Sequence, residues 1–440
     1  SCDVLIVRPE NSKIIKDQIL DIQSKFKTKS QFHIAKSYII DEAQMIADRD
    51  RGHSWTRAIL GIKADEIHIC MSPAAEEVVT HLIALCEDTF EVRHYERKTA
   101  LVCEQEAFIF PDDVTEGDAL ITFTKRAVLD IAGRLEREGI RASVIYGSLP
   151  PEIRRRQIRL FLSHETKVVV STDAIGMGLN LPVRRIVFIQ TEKYDGVSTR
   201  PLNIPEIRQI AGRAGRFGMY DTGYVNAMGE DARNYIAKRF DQPEPVIKKV
   251  SLGFPHVLLD MDEPLNAILK IWKSVEPSAP FEKISIDEIL FLYDKAYKAR
   301  KEIDGFEDKH TLYRMLTCSI DIKNRDIVDL WLYYCKTYTA DVSLHFPSLI
   351  MCNDKGLMRY ETFYKMLDLY HQFSTRMGKI SDSERLNRER EKTEDTIMKL
   401  LAKDKKDYIR TCKYCGITLP VGYPFRVCEK CYGHSPYKKI

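Results

Sequence analysis

The sequence predicts an α/β protein with two successive sheet-bearing lobes, then an α-helical region and a small cysteine-stapled terminus. Three observations carry this. Short apolar runs alternate with amphipathic stretches over residues 1–240, the pattern turns helical past Pro243 and Pro245, and two Cys-x-x-Cys pairs lie between Cys412 and Cys431. At 440 residues the chain is too long for one ordinary domain.

The apolar runs 3–7, 37–40, 66–70, 119–123, 142–146, 167–171 and 185–189 read as buried strands, with helical patterns at 127–138 and 152–162 between them. Strand, helix, strand in this rhythm predicts parallel sheets covered on both faces. A further helix is expected over 12–26. The rhythm breaks over 95–116, where Pro111 and Gly117 follow, so residues 1–100 form a first lobe and 101–240 a second. Residues 241–380 read as a helical domain, in which Ser285 and Glu288 suggest a capping box. Mixed charges dominate 381–410, a solvated helical connector, and 411–440 form the cysteine module.

Composition sets outer bounds. With 44% hydrophobic and 30% charged residues, the chain can bury cores and stay soluble, and a net charge of +3 requires any nucleic-acid footprint to be local. No apolar run is long enough to span a bilayer and no basic stretch leads into an apolar leader, so no membrane association is expected. Seven of the eleven cysteines are scattered singly, which suits a reducing, intracellular compartment and reads as cytoplasmic.

The chemistry concentrates at strand ends. Run 37–40 leads into Asp41 and Glu42, adjacent acids where α/β folds bind ligands. Asp41 suits Mg²⁺, usually through water, and Glu42 suits an attacking water. Behind the strand at 167–171, the stretch 172–180 offers a hydroxyl (Thr172), an acid (Asp173) and two glycines (Gly176 and Gly178), which allow close backbone approach to phosphate or ribose. Gln209, Arg213 and Arg216 follow, the arginines three residues apart and so on one helical face. Arginine's planar charged fork suits the spreading charge of a transferred phosphoryl group.

Asp41-Glu42-Ala43-Gln44, the 172–180 stretch and the 209–216 stretch resemble motifs II, V and VI of superfamily 2 helicases. Segments 41–46, 55–61, 145–151, 172–182, 193–196 and 209–218 resemble the mitochondrial degradosome RNA helicase family and its bacterial relatives, with close resemblance over 38–230. The resemblance implies RecA-like lobes, the first partial, and an ATP- and Mg²⁺-dependent motor moving 3′-to-5′ on RNA, with RNA–DNA or DNA duplexes as further substrates and a nuclease as a partner. It implies that Gln209, Arg213 and Arg216 face the nucleotide, that Gly178 lies near the ribose, and that Thr124, Thr172 and Asp173 serve the nucleic-acid track. Ser72-Pro73-Ala74 would be motif III, departing from the commoner Ser-Ala-Thr.

One part is missing. No Gly-x-x-x-x-Gly-Lys-Thr/Ser loop occurs, and the single Gly-Lys pair, Gly378-Lys379, lies in the helical region. Either the chain is the later part of a longer motor, as Ser1 in place of Met suggests, or the first lobe has degenerated and the protein is a non-catalytic nucleic-acid-binding scaffold.

Cys412, Cys415, Cys428 and Cys431 form two knuckles twelve residues apart, suited to a closed tetrahedral Zn²⁺ site. Two redox dithiols or an iron–sulfur cluster are the alternatives. His434 reads as a surface residue. Basic and aromatic residues surround the knuckles, among them Lys413, Tyr414, Phe425, Arg426 and Tyr437, and suit either single-strand stacking and phosphate contact or protein docking.

Overall fold

The structure is a computed structural model that describes residues 2–8, 35–176, 181–299, 308–338, 343–379, 381–407, 409–421, 423 and 425–433. The helix expected over 12–26, Gly178, His434 and Tyr437 lie outside the described residues.

The first lobe contains β1 (Cys2–Arg8), β2 (Ala35–Ile40), α1 (Gly52–Gly61), β3 (Ala64–Met71), α2 (Glu76–Leu85) and β4 (Thr89–Tyr95). Its sheet runs β2-β3-β1-β4. β2 and β3 are parallel, but β1 lies antiparallel to both β3 and β4. The expectation of an all-parallel sheet is therefore corrected here, because an apolar run announces a strand and not its direction. Nor is every strand buried: Ile39 is 71% exposed. The core forms where Ile67, Ile69 and Met71 of β3 meet Val79, Leu82 and Ile83 of α2.

The second lobe contains β5 (Ala100–Cys103), β6 (Asp118–Ile121), α3 (Lys125–Arg137), β7 (Ala142–Ile145), α4 (Pro151–Leu162), β8 (Val168–Ser171), β9 (Arg185–Phe188), β10 (Glu192–Tyr194), β11 (Thr199–Pro201), α5 (Ile204–Ala211), β12 (Thr222–Ala227) and α6 (Glu230–Phe240). Among the described residues its main sheet, β5-β12-β9-β6-β8-β7, is parallel throughout, as the alternation predicts. β6, β7, β8 and β9 are buried along their length, which parallel strands covered on both faces require. β10 and β11 form a separate antiparallel ribbon.

Past α6 the chain returns to the first lobe. Ile247 N–H donates to Ala74 O at 2.8 Å, Thr56 Oγ1 donates to Ser251 O at 2.7 Å, and Val250 is buried in the first lobe's core. There β13 (Val250–Leu252) precedes α7 (Leu265–Ser274), β14 (Phe281–Lys283), α8 (Asp287–Ala299), α9 (Lys309–Leu316), α10 (Arg325–Thr337) and α11 (Gly356–Arg376). These helices share a core that includes Trp272, Trp331 and Phe373. The capping box expected of Ser285 and Glu288 is replaced: Ser285 Oγ accepts from Asp287 N and donates to the Asp287 carboxylate.

α12 (Ser383–Asp407) is no solvated connector. Ile397 and Leu401 are buried against the second lobe's core, Arg156 of α4 pairs with Asp395 at 2.6 Å, and Lys405 Nζ donates to Ala142 O at 2.8 Å. A narrow apolar stripe suffices to dock a helix whose average composition is polar. The terminal module ends with the short helix α13 (Glu429–Gly433).

Candidate functional site

β2 delivers Asp41 and Glu42 to the lip of a cleft between the lobes. Asp41 Oδ1 accepts from Glu42 N at 2.8 Å, and Trp55 Nε1 donates to Asp41 O at 2.9 Å, so the turn is pinned from both sides. Glu42 adopts a left-handed backbone, φ 55°, a conformation that costs a non-glycine residue and recurs at functional sites. Gln44 holds it there: its Nε2 donates to Glu42 Oε2, while its Oε1 accepts from Ser72 N at 3.2 Å. The acid pair is thus tied to the 72–74 stretch. The Ser72 hydroxyl is itself buried without a partner among the described residues.

Opposite, Asn203 and Glu206 form a reciprocal capping box that starts α5. Gln209 rides on α5 and lines the cleft. The helix stops at Ala211, so Arg213 and Arg216 lie beyond it and share no helical face, contrary to the spacing argument. Arg213 Nε donates to Gly176 O at 3.1 Å and Nη2 donates to Glu42 Oε1 at 3.1 Å. Asp41, Glu42, Gln44, Gln209 and Arg213 converge on a cleft of about 440 Å³. Arg216 is exposed and does not line it.

The residues expected on the nucleic-acid track sit at strand ends of the second lobe, but their hydroxyls already hold local bonds. Thr172 is buried and its Oγ1 accepts from Ala174 N at 3.3 Å. Thr124 is the N-cap of α3, where its Oγ1 accepts from Ala127 N at 3.1 Å. A hydroxyl that accepts still has a proton to donate. Asp173 pairs with Lys193 Nζ at 3.4 Å, and the same ammonium pairs with Glu206 at 2.7 Å. Arg200 donates to both Glu206 oxygens at 2.9 Å. Burial alone would raise the Glu206 carboxyl, but hydrogen bonds from Arg200, Lys193 and the Asn203 N–H outweigh it and hold it at about 2. Sequence reasoning missed this network. Its one signal was the Lys193–Gly196 stretch, whose Asp195 and Gly196 turn the β10–β11 ribbon.

The four clustered cysteines converge, with all Sγ atoms within 4.8 Å of one another and Cys415 and Cys428 Sγ 3.6 Å apart. Tetrahedral thiolates about 2.3 Å from Zn²⁺ stand roughly 3.8 Å from each other, so the donor set fits. Backbone N–H groups of Cys415 and Cys428 draw the Cys412 thiol down to about 6. The module docks on the second lobe: Arg134 Nη2 donates to Leu419 O at 2.6 Å, and Arg410 N donates to Asp130 Oδ1 at 2.9 Å. Tyr414, Phe425 and Tyr432 stay exposed.

Acids, glutamine and arginine facing each other between two stacked α/β lobes define a class, and comparison with known proteins agrees. Residues 13–95 match the DEXQ-box helicase domain of Suv3, and residues 100–218 match the helicase conserved C-terminal domain. The chain thus carries a stretch similar to the Suv3 helicase domain followed by one similar to the conserved helicase C-terminal domain. Its relatives bear matching names. The DExH-box ATP-dependent RNA helicase DExH18, mitochondrial, of Arabidopsis thaliana is 32% identical over 76% of this chain and 44% of its own length. The ATP-dependent RNA helicase SUV3, mitochondrial, of Oryza sativa is 32% identical over 77% of this chain and 61% of its own. The ATP-dependent RNA helicase SUPV3L1, mitochondrial, of Homo sapiens is 30% identical over 82% and 48%. The chain spans about half the length of the curated relatives it matches. Among solved structures, S. cerevisiae Dbp5 bound to RNA and ADP BeF3 aligns with TM-score 0.35 and 18% identity over 52% of this chain and 63% of that chain, too slight a likeness to carry residue roles.

These names overturn one expectation. The relatives are named mitochondrial, so the cytoplasmic reading does not stand. Unpaired cysteines report a reducing environment and not which compartment supplies it. Among the described residues no helix is long and apolar enough to cross a membrane.

Proposed function

We propose that this chain forms the two motor lobes, the first without a phosphate loop of its own, and the C-terminal modules of an ATP-dependent helicase that translocates on RNA. The observation that carries the reading is the convergence of Asp41, Glu42, Gln209 and Arg213 on one interlobe cleft. Asp41 would hold Mg²⁺ and Glu42 would orient the attacking water, with Gln209 and Arg213 meeting the phosphates from the opposite lobe. Arg216 and Gly178 are assigned to the same nucleotide by family resemblance alone. ATP bound there would supply the free energy of translocation.

Thr124, Thr172 and Asp173 would line the nucleic-acid side, with RNA–DNA and DNA duplexes as further substrates and a nuclease as a partner. The division at 1–100, 101–240, 241–380, 381–410 and 411–440 follows the same reading, with the last segment a Zn²⁺ ribbon. Exposed Tyr414, Phe425 and Tyr432 beside Lys413, Arg426 and Lys430 favour contact with single strands.

The absence of a Gly-Lys-Thr/Ser loop favours a second reading, a nucleic-acid-binding scaffold with a degenerate motor. RNA-stimulated ATP turnover by the natural gene product containing this chain, wild type against Glu42→Gln, separates the two. Turnover that Glu42→Gln abolishes establishes the motor, whereas RNA binding without turnover establishes the scaffold.

A further inference from the structure

We propose that Arg97, in the link between β4 and β5, is a positioning residue that sets where Arg213 points. Its guanidinium donates from Nε to Thr99 O at 2.9 Å, from Nη1 to Gly212 O at 2.9 Å, and from Nη2 to Ala214 O and to Gly215 O at 3.2 Å. Gly212 and Ala214 flank Arg213, so one side chain grips the backbone on both sides of the residue that reaches Glu42.

The acceptors suit the donor. Gly212 is the C-cap of α5, and Ala214 and Gly215 lie beyond its end, where carbonyls no longer meet the N–H groups of a continuing helix. Arginine alone offers a rigid fork of donors able to satisfy several of them at once. Burial lowers the Arg97 pKa without neutralising it, since a guanidinium stays charged in proteins.

The loop is held from its other side as well. Gly215 N–H donates to Val183 O at 2.9 Å, and a Cβ on Gly215, which has φ +70°, would lie 2.6 Å from the Gly223 backbone. Sheet backbone fixes the loop's floor and Arg97 fixes its lateral position. Because residues 96–99 lead directly from one lobe to the other, a change in the interlobe angle acts on Arg97 and, through it, on Arg213.

The proposal rests on reading Arg213 as nucleotide-facing, so the test has two arms on the full chain. In hydrogen exchange, Arg97→Met and Arg97→Lys should each raise amide exchange over residues 212–216 at least tenfold, with β6 and β8 unchanged. Lysine keeps the charge but not the fork. Exchange within twofold of wild type overturns the clasp.

In the second arm, a fluorescent methylanthraniloyl ATP is titrated against wild type, Arg97→Met, Arg213→Ala and the double variant. Arg97→Met should weaken binding at least fivefold alone and less than twofold in the Arg213→Ala background. Full additivity overturns the statement that Arg97 acts through Arg213. Wild-type binding no tighter than that of Arg213→Ala overturns the underlying reading of the cleft, and the exchange arm then decides the clasp by itself.

Discussion

Arg213 of the second lobe donates to the Glu42 carboxylate of the first at 3.1 Å, closing the interlobe cleft with an ion pair. Both side chains keep solvent access, at 25% and 37%, so the pair contributes about 0–1 kcal/mol. Its importance is geometric: it brings the charge that would stabilise a transferred phosphoryl group against the group that would orient water.

The proposed roles put Arg213 and Thr172 on different faces of the second lobe. Arg213→Ala should leave single-stranded RNA affinity nearly unchanged, whereas Thr172→Val should weaken it without unfolding the lobe. The lost hydrogen bond to Ala174 N should cost about 1 kcal/mol of stability. Titrating a labelled single strand at two salt concentrations checks this, with each phosphate contact contributing about 0.7 to the log–log slope. Salt-independent affinity, or greater harm from Arg213→Ala, would show that the faces are reversed.

ATP turnover by the 440-residue chain alone should be negligible. Phosphoryl transfer depends on positioning and electrostatics, and the chain lacks the loop whose N–H groups and lysine cradle phosphates. A coupled assay with saturating RNA checks it. Turnover at ordinary helicase rates that Glu42→Gln abolishes would sink this expectation.

One equivalent of zinc per chain should accompany the protein through purification. Cys415→Ser should unfold the terminal module and leave the sheets intact, because the metal supplies the folding energy of so small a unit. Elemental analysis paired with circular dichroism reads both. Iron in place of zinc, or four free thiols with no metal, would refute the assignment.

Glu206 provides a pH signature. Its carboxyl sits at about 2 in the folded chain against an ordinary 4.5, so the folded state favours the ionised form. The stability this confers is fully present above about 4.5 and is lost as pH falls from there toward 2. The shift would be about 3 kcal/mol undiscounted, and solvent screening of a half-buried group leaves roughly 1–2. Glu206→Gln should lose that amount at pH 7 and flatten the melting temperature between pH 4.5 and 3. An unchanged acid slope would argue against the network.

Legibility in the sequence followed the range of the interaction. The strands at 119–123 and 167–171, the acid pair after Ile40 and the paired cysteine knuckles are local patterns, and each appears where expected. Direction and docking are not local. Nothing in the run at 3–7 says that its strand opposes its neighbours, and a helix as polar as α12 conceals the Ile397 and Leu401 stripe in its average. Arg97 left no trace for a related reason: its acceptors are backbone carbonyls, which every residue possesses. Arg213 and Arg216 misled through assumed periodicity, since three-residue spacing implies a shared face only while the helix continues.

The polypeptide links the lobes three times: outward through residues 96–99, back through the segment in which Ile247 bonds to Ala74 and Val250 enters the first lobe's core, and out again through the helical region to α12, whose Ile397 and Leu401 join the second lobe's core. Two bodies joined by one strap can tumble about it in every direction, and each further attachment away from the first removes some of that freedom. Here the helical region braces both lobes at once, through Val250 on one side and Ile397 and Leu401 on the other. A molecule held between Glu42 and Arg213 thus meets walls whose mutual orientation is largely set beforehand, and little orientational disorder remains to be lost when it binds.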